Sequence, residues 1–262
     1  MDRVEILRAF YEGCDEDGRL RSKHGQVEFL TTMRYVERYL APGGRVIEIG
    51  AGTGRYSHAL ARKGYEVDAV ELVEHNMEIF RRNTAPGERV NLSQGDALDL
   101  SAFPEGAYDA VLLLGPLYHL YTPEDQRRAL CEAIRVAKPG GVIFAAYCGN
   151  DATVVQECFC GGLFEQAKYR ALVDMENFHC QSVPEEVFSL LRREDIDART
   201  EGLPVERLHF VGTDMLTYYV RNAIDALSDE VYALYLRYHW TVCERPDMVG
   251  VSNHFLDVFR KL

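Results

Sequence analysis

Apolar positions along this chain follow two alternating rhythms. Short apolar runs, Val46–Ile49, Ala110–Leu114 and Val142–Ala146, are bounded by glycine, proline or charged clusters and predict buried strands. Between them the apolar residues recur at helical spacing, as in Leu130, Ala133, Ile134 and Ala137, a stripe whose helix starts at Thr122-Pro123 and ends at Lys138-Pro139-Gly140-Gly141. Glu66–Glu71 alternates as a second strand, Val90–Ser93 reads as a third and Tyr108–Leu114 as a fourth. Strand and helix therefore alternate five times, which predicts an α/β fold with a doubly wound, mostly parallel sheet.

Segments outside this alternation carry weaker patterns. Val4, Leu7 and Phe10–Tyr11 predict a short first helix, Gly13–Gly18 a solvated turn, and Gly25–Leu40 a second helix with Phe29, Met33, Val36 and Leu40 on one face. Both helices precede the sheet and are expected to fold over its ligand end as part of a lid. Beyond the fifth strand, 151–177 is mixed in pattern, Leu190–Thr200 reads as a charged helix and Val205–Val211 as a sixth strand. Two helices follow, whose stripes assign Tyr219, Tyr235 and Tyr238 to the core, and Gly250–Arg260 is the expected seventh strand.

The candidate chemistry starts at Gly44–Tyr56, GRVIEIGAGTGRY, a strand, a glycine turn and the start of a helix. Gly50, Gly52 and Gly54 let the main chain turn with positive φ and approach a ligand directly. Their spacing differs from the dinucleotide fingerprint, in which the third glycine falls one residue later. Glu48, two residues before the first glycine, is a poor neighbour for a pyrophosphate and suits a ligand carrying an ammonium and a sulfonium. Turn and carboxylate together point to S-adenosylmethionine. Glu71, at the end of the second strand, is placed to bind two ribose hydroxyls, and Asp96 to accept from an adenine amino group.

The fourth strand runs into Gly115-Pro116-Leu117-Tyr118-His119-Leu120-Tyr121. His119 is a candidate base at the end of the fourth strand, and packing of the loop is its alternative role; Tyr118 and Tyr121 share that ambiguity. Tyr11, Tyr118, Tyr121 and Tyr147 all fall in segments expected near the cleft, where aromatic walls suit a small acceptor and a sulfonium.

Composition narrows the classes further. With 29 basic against 41 acidic residues the formal charge is −12, and no basic stripe is present, so nucleic acid is not an expected partner. The apolar runs are strand-sized, so no membrane span is expected, and the N-terminal residues lack a signal peptide's apolar centre, which gives a cytoplasmic expectation. Seven cysteines suggest free thiols in a reducing compartment. Cys158, Cys160 and Cys180 match no common zinc spacing and are read as buried structural thiols, and no metal site is expected.

Taken together, VIEIGAGTG, Glu71, GDALDL, YDAVLLLGPLYHL and RVAKPGG before GVIFAAY make the stretch from Gly44 to Tyr147 resemble a class I S-adenosylmethionine-dependent methyltransferase, in the style of the ubiquinone and menaquinone enzymes. The resemblance implies one domain over 1–262, a seven-stranded sheet with its last strand antiparallel, and lid elements at 1–40 and 151–185. It implies a methionine moiety against Gly50, Gly52 and Gly54, further cofactor contacts from Glu48, Glu71, Leu72, Asp96, Ala97 and Leu114, and catalytic roles for His119 and Tyr118. The implied reaction is in-line transfer of a methyl group to a small-molecule acceptor. A non-catalytic cofactor sensor, a macromolecule-modifying methyltransferase and a nicotinamide dehydrogenase are the competing readings.

Overall fold

In the computed structural model, which describes residues 2–262, three helices precede the sheet: α1 (Arg3–Gly13), α2 (Glu16–Arg19) and α3 (Lys23–Tyr39). Asp2 opens α1 with a reciprocal cap, its side chain accepting from the Glu5 amide at 2.8 Å while the Glu5 carboxylate accepts from the Asp2 amide at 3.1 Å. The alternating part follows as β1 (Arg45–Ile49), α4 (Arg55–Arg62), β2 (Glu66–Glu71), α5 (Glu74–Asn83), β3 (Val90–Gln94), β4 (Tyr108–Leu113), α6 (Pro123–Val136) and β5 (Ala137–Gly149). Next come α7 (Asn150–Thr153) and α8 (Ala167–Arg170) in an irregular segment, then β6 (Leu190–Leu191), α9 (Arg193–Thr200), β7 (Val205–Gly212), α10 (Arg221–Asp225), α11 (Asp229–Val242) and β8 (His254–Lys261).

The sheet runs β3-β2-β1-β4-β5-β8-β7, parallel from β3 to β5, with β8 antiparallel to both neighbours. The order reverses beside β1, which opens a crevice at the carboxyl ends of β1 and β4. Side-chain alternation divides the core between two faces. Ile47, Ile49, Val111, Leu113 and Ile143 pack with α6 and α9, whereas Val46, Ala110, Leu112 and Phe144 pack with α3 and α4.

Several expectations change. The turn at Gly13–Gly18 contains α2, because Asp15 caps it by accepting from the Gly18 amide at 2.9 Å. β5 is longer than Val142–Ala146 because its pairing with β8 extends from Val142 to Cys148. The seventh expected strand starts at His254, after a 3-10 turn at Val249–Val251, and the helix expected from Leu190 starts at Arg193. An eighth, two-residue strand, β6, joins β5. Tyr238 is 51% exposed, and Val231 and Leu234 on the same helix are exposed too, so the α11 stripe is only partly core.

β8 also carries a carboxylate that the core itself must neutralise. Asp257 is fully buried and Arg207 of β7 donates to it twice, Nε to Oδ1 and Nη2 to Oδ2, each at 2.7 Å. Burial still pushes Asp257 up to about 6, with Arg207 opposing the shift. Arg207→Met leaves this carboxylate unpaired and is expected to lower stability by about 3 kcal/mol in urea unfolding, the low end for a broken buried pair because Arg207 is itself partly exposed. The loss should be smaller at pH 5 than at pH 8, since a protonated Asp257 needs no counter-charge.

Candidate active site

The glycine turn is shaped by the strands around it. Gly50 and Ala51 both donate to the Val70 carbonyl, at 2.8 and 3.0 Å, so the turn leaves β1 over the end of β2. Gly50, Gly52 and Gly54 have φ of 75°, 54° and 90°. Their reasons for being glycine differ. A Cβ on Gly50 would lie 2.5 Å from Pro116, and one on Gly54 would lie 2.5 Å from His58 and 2.7 Å from Phe80, so these two are required by packing. A Cβ on Gly52 would meet nothing within 4 Å and would occupy open cleft.

Glu71 closes one side. Its carboxylate accepts from the Gly52 amide at 2.8 Å, the Val73 amide at 2.9 Å and Asn76 Nδ2 at 3.3 Å. Burial raises its pKa against those three donors. Asn76 is itself buried, and its Oδ1 has no hydrogen-bond partner among the described residues. A buried orphan acceptor beside a carboxylate is a place for a ligand hydroxyl. Glu48 lies deeper, accepting from Ser57 Oγ of α4, and burial pushes it up to about 8 while Ser57 opposes the shift. Asp96 accepts from the Leu98 amide at 3.0 Å and pairs with Arg3 of α1.

At the end of β4, Tyr118 donates to the Leu114 carbonyl at 2.9 Å, and its ring lies 4.8 Å from His119. His119 is buried. Its Nδ1 lies 3.0 Å from the Val187 carbonyl, an acceptor only, so Nδ1 carries the proton and Nε2 accepts from Tyr11 O–H at 2.7 Å. Burial lowers His119 to about 4. Tyr121 O–H donates to the same Val187 carbonyl at 2.8 Å. Val187 has a φ of 68°, a strained conformation for a β-branched residue, and that strain aims one carbonyl at two side chains of the β4 loop.

Glu48, Gly50, Gly52, Glu71, Leu72, Asp96, Ala97, Leu114, Tyr118 and His119 thus line a single cleft, and Gly54 backs it. Tyr147 is not among them: it is fully buried within the core and its hydroxyl has no partner among the described residues. Sequence reasoning missed Arg3, Glu16, Asp17 and Arg19, which line the cleft from α1 and α2, together with Asn76 and Val187. The polar run at Gly13–Gly18 held the only local signal, and it read equally well as a solvated turn. Cys160, expected to be buried, is exposed, and all seven cysteines are free.

Residues 47–145 match the family described as a methyltransferase domain. Demethylmenaquinone methyltransferase of Clavibacter sepedonicus is 40% identical over 108 residues, covering 40% of this chain and 42% of the relative. It is over this stretch that the chain is similar to S-adenosylmethionine-dependent methyltransferases. A ubiquinone biosynthesis O-methyltransferase of Xanthomonas campestris pv. campestris is 32% identical over 134 residues, covering 50% of this chain and 53% of the relative. The chain therefore spans about half the length of the curated relatives it matches. A Thermotoga maritima structure described as an S-adenosylmethionine-dependent methyltransferase, possibly for histamine, shares the fold, with a TM-score of 0.58 at 20% identity over 99% of both chains.

The two kinds of glycine predict different failures in this methyltransferase fold. Gly52→Ala should keep the thermal midpoint within a few degrees and lose most affinity for S-adenosylhomocysteine by calorimetry, whereas Gly54→Ala should unfold at markedly lower temperature because His58 and Phe80 cannot retreat. Glu48 gives a pH signature in the ligand-free protein. Between 4.5 and about 8 the folded chain holds a proton that the unfolded chain has released, so stability falls as pH rises through that window. Glu48→Gln should accordingly melt higher than the parent at pH 8 and close to it at pH 5; equal shifts at both would show that Glu48 ionises normally.

Proposed function

We propose that this chain transfers a methyl group from S-adenosylmethionine to a small-molecule acceptor by in-line displacement. The observation that supports the reading most is the open cradle at Gly52, bounded by the Glu71 carboxylate 2.8 Å away and the unpartnered Asn76 Oδ1. A ribose diol fits those two acceptors, the methionine end fits the glycine turn above Glu48, and the adenine fits beside Asp96 and Ala97 with Leu72 against its face. The quinone-pathway names of the relatives favour a small acceptor over a macromolecule. The cofactor would supply an activated methyl on a sulfonium, whose leaving group needs no protonation.

The protein's own task is then alignment and exclusion of water, worth about 7–11 kcal/mol in favourable cases. α1 and α2 act as a lid here: Arg3 reaches Asp96 and Tyr11 reaches His119 from above, so one helix touches both the adenine end and the transfer end. His119 is neutral with its lone pair on Nε2 facing the cleft, and Tyr11 O–H holds that lone pair in line. When an acceptor displaces Tyr11, Nε2 is the group positioned to take its proton. Tyr118 packs the floor through its bond to Leu114.

The test is release of labelled methyl from S-adenosylmethionine into hydroxylated and amino small molecules, analysed after chromatographic separation. Once an acceptor is in hand, His119→Ala should bind S-adenosylhomocysteine as the parent does and lose about 100-fold in turnover. Because His119 sits near 4, kcat/KM of the parent should stay insensitive to it down to about pH 5 and fall below that as Nε2 protonates. Unchanged turnover in His119→Ala would make the residue a packing element of the loop.

A further inference from the structure

A second cavity, of about 390 Å³, lies between the carboxyl end of β5 and the irregular segment from Thr153 to Leu190. It adjoins the cofactor cleft through Phe188, whose ring stands 5.4 Å from His119 and 6.0 Å from Tyr118. Its walls are largely apolar, with Leu163, Leu172, Val173 and Leu190 opposite Tyr218.

Two neighbouring residues on the wall of this apolar chamber carry hydrogen-bond donors. Asn253 Oδ1 accepts from Gln156 Nε2 at 2.9 Å, and the buried Asn253 Nδ2 has no partner among the described residues. His254 is tethered by Nδ1 to Asp214 Oδ2 at 2.6 Å. Asp214 is fully buried, and its Oδ1 accepts from Ser252 Oγ at 2.6 Å, Asn253 N at 2.9 Å and His254 N at 3.2 Å. With Nδ1 fixed, the Nε2 edge of the imidazole is the one left for a ligand, beside the Cys148 thiol that also lines the chamber. Burial opposes a charge on His254, but Glu28 and then Asp214 more than offset it and raise its pKa well above the usual imidazole value, which favours the form in which Nε2 donates.

We propose that this chamber receives the methyl acceptor and that Asn253 and His254 select one bearing an anionic oxygen, a carboxylate or phenolate, on an apolar body. The inference rests on the methyl-transfer reading above and adds the acceptor's chemical class. An ammonium-bearing acceptor would need a free carboxylate beside Asn253 and His254, and the two that lie behind His254 are engaged elsewhere: Asp214 by its four protein donors, Glu28 by Arg19 Nη1 at 2.7 Å. Glu28, Asp214 and His254 come within 4.8 Å of one another, yet the Arg19 guanidinium and the protonation favoured at His254 make that group an ion-pair network in place of a cation site. The lining also carries Arg221 and two carboxylates, Glu157 and Glu186, the latter 3.9 Å from Lys168 Nζ.

The experiment titrates the full chain, saturated with S-adenosylhomocysteine, with a panel of aryl and alkyl carboxylates from benzoate to 4-phenylbutyrate and octanoate, each beside its amide. Binding is read by ligand-detected NMR. At least one carboxylate should bind about tenfold tighter than its amide. His254→Gln and Asn253→Asp should each reduce that preference to about twofold or less while S-adenosylhomocysteine affinity stays at the parent value, which also shows that the variants fold. The proposal is overturned if no carboxylate binds below about 1 mM, if the amides bind as well, or if the preference survives both substitutions. Failure of the parent to bind S-adenosylhomocysteine at all would instead remove the methyl-transfer reading, and this proposal with it.

Discussion

The hydrogen bond from the Gly52 amide to the Glu71 carboxylate ties two strand ends together, and the arrangement of the cleft depends on it. It exists because β1 and β2 are parallel and in register from Arg45 with Glu66 to Ile49 with Val70, so both chains leave the sheet at one edge. A glycine turn leaving β1 and a carboxylate ending β2 then cannot avoid each other. The carboxylate fixes the turn, the turn's amides orient the carboxylate, and burial leaves both with little water to compete. What remains open between them is the space at Gly52, close to the buried and unpartnered Asn76 Oδ1.

The rest of the site is built from elements distant in sequence that converge on that edge. α1 lies across the cleft with Arg3 on Asp96 and Tyr11 on His119, and the segment before β6 approaches from the other side with Val187. The strained backbone at Val187 is informative here. Nothing in the packing of a surface loop needs a left-handed valine, and the carbonyl it presents sets the tautomer of His119 and anchors Tyr121. Behind this, Asp214 plays for His254 the part Val187 plays for His119, which gives the two cavities one orienting acceptor each.

The alternating core was legible because its signals are local. Strand-sized apolar runs, helix caps such as Thr122 and the glycine turn each report on a few neighbouring residues, and a parallel sheet follows from their order. Glu71, Asp96 and His119 were placed at the cleft for the same reason, each sitting where a strand ends. What the sequence did not show depends on contacts between distant segments. Tyr11 meets His119 across 108 positions and His254 meets Asp214 across 40, and no periodicity encodes either. Tyr147 failed in the opposite way: strand alternation turned it into the core one position before Cys148, which lines the second cavity. The eighth strand was invisible because two residues carry no pattern.

The most direct test of the central claim is a calorimetric titration of the parent chain with S-adenosylhomocysteine, with NAD and NADP run alongside, followed by the same titration of Glu71→Gln. The account predicts saturable binding of the thioether alone and a large loss of affinity in the variant, because a neutral amide cannot accept from Gly52, Val73 and a ribose diol together. Nicotinamide binding in place of the thioether, or an unchanged affinity in Glu71→Gln, would contradict it.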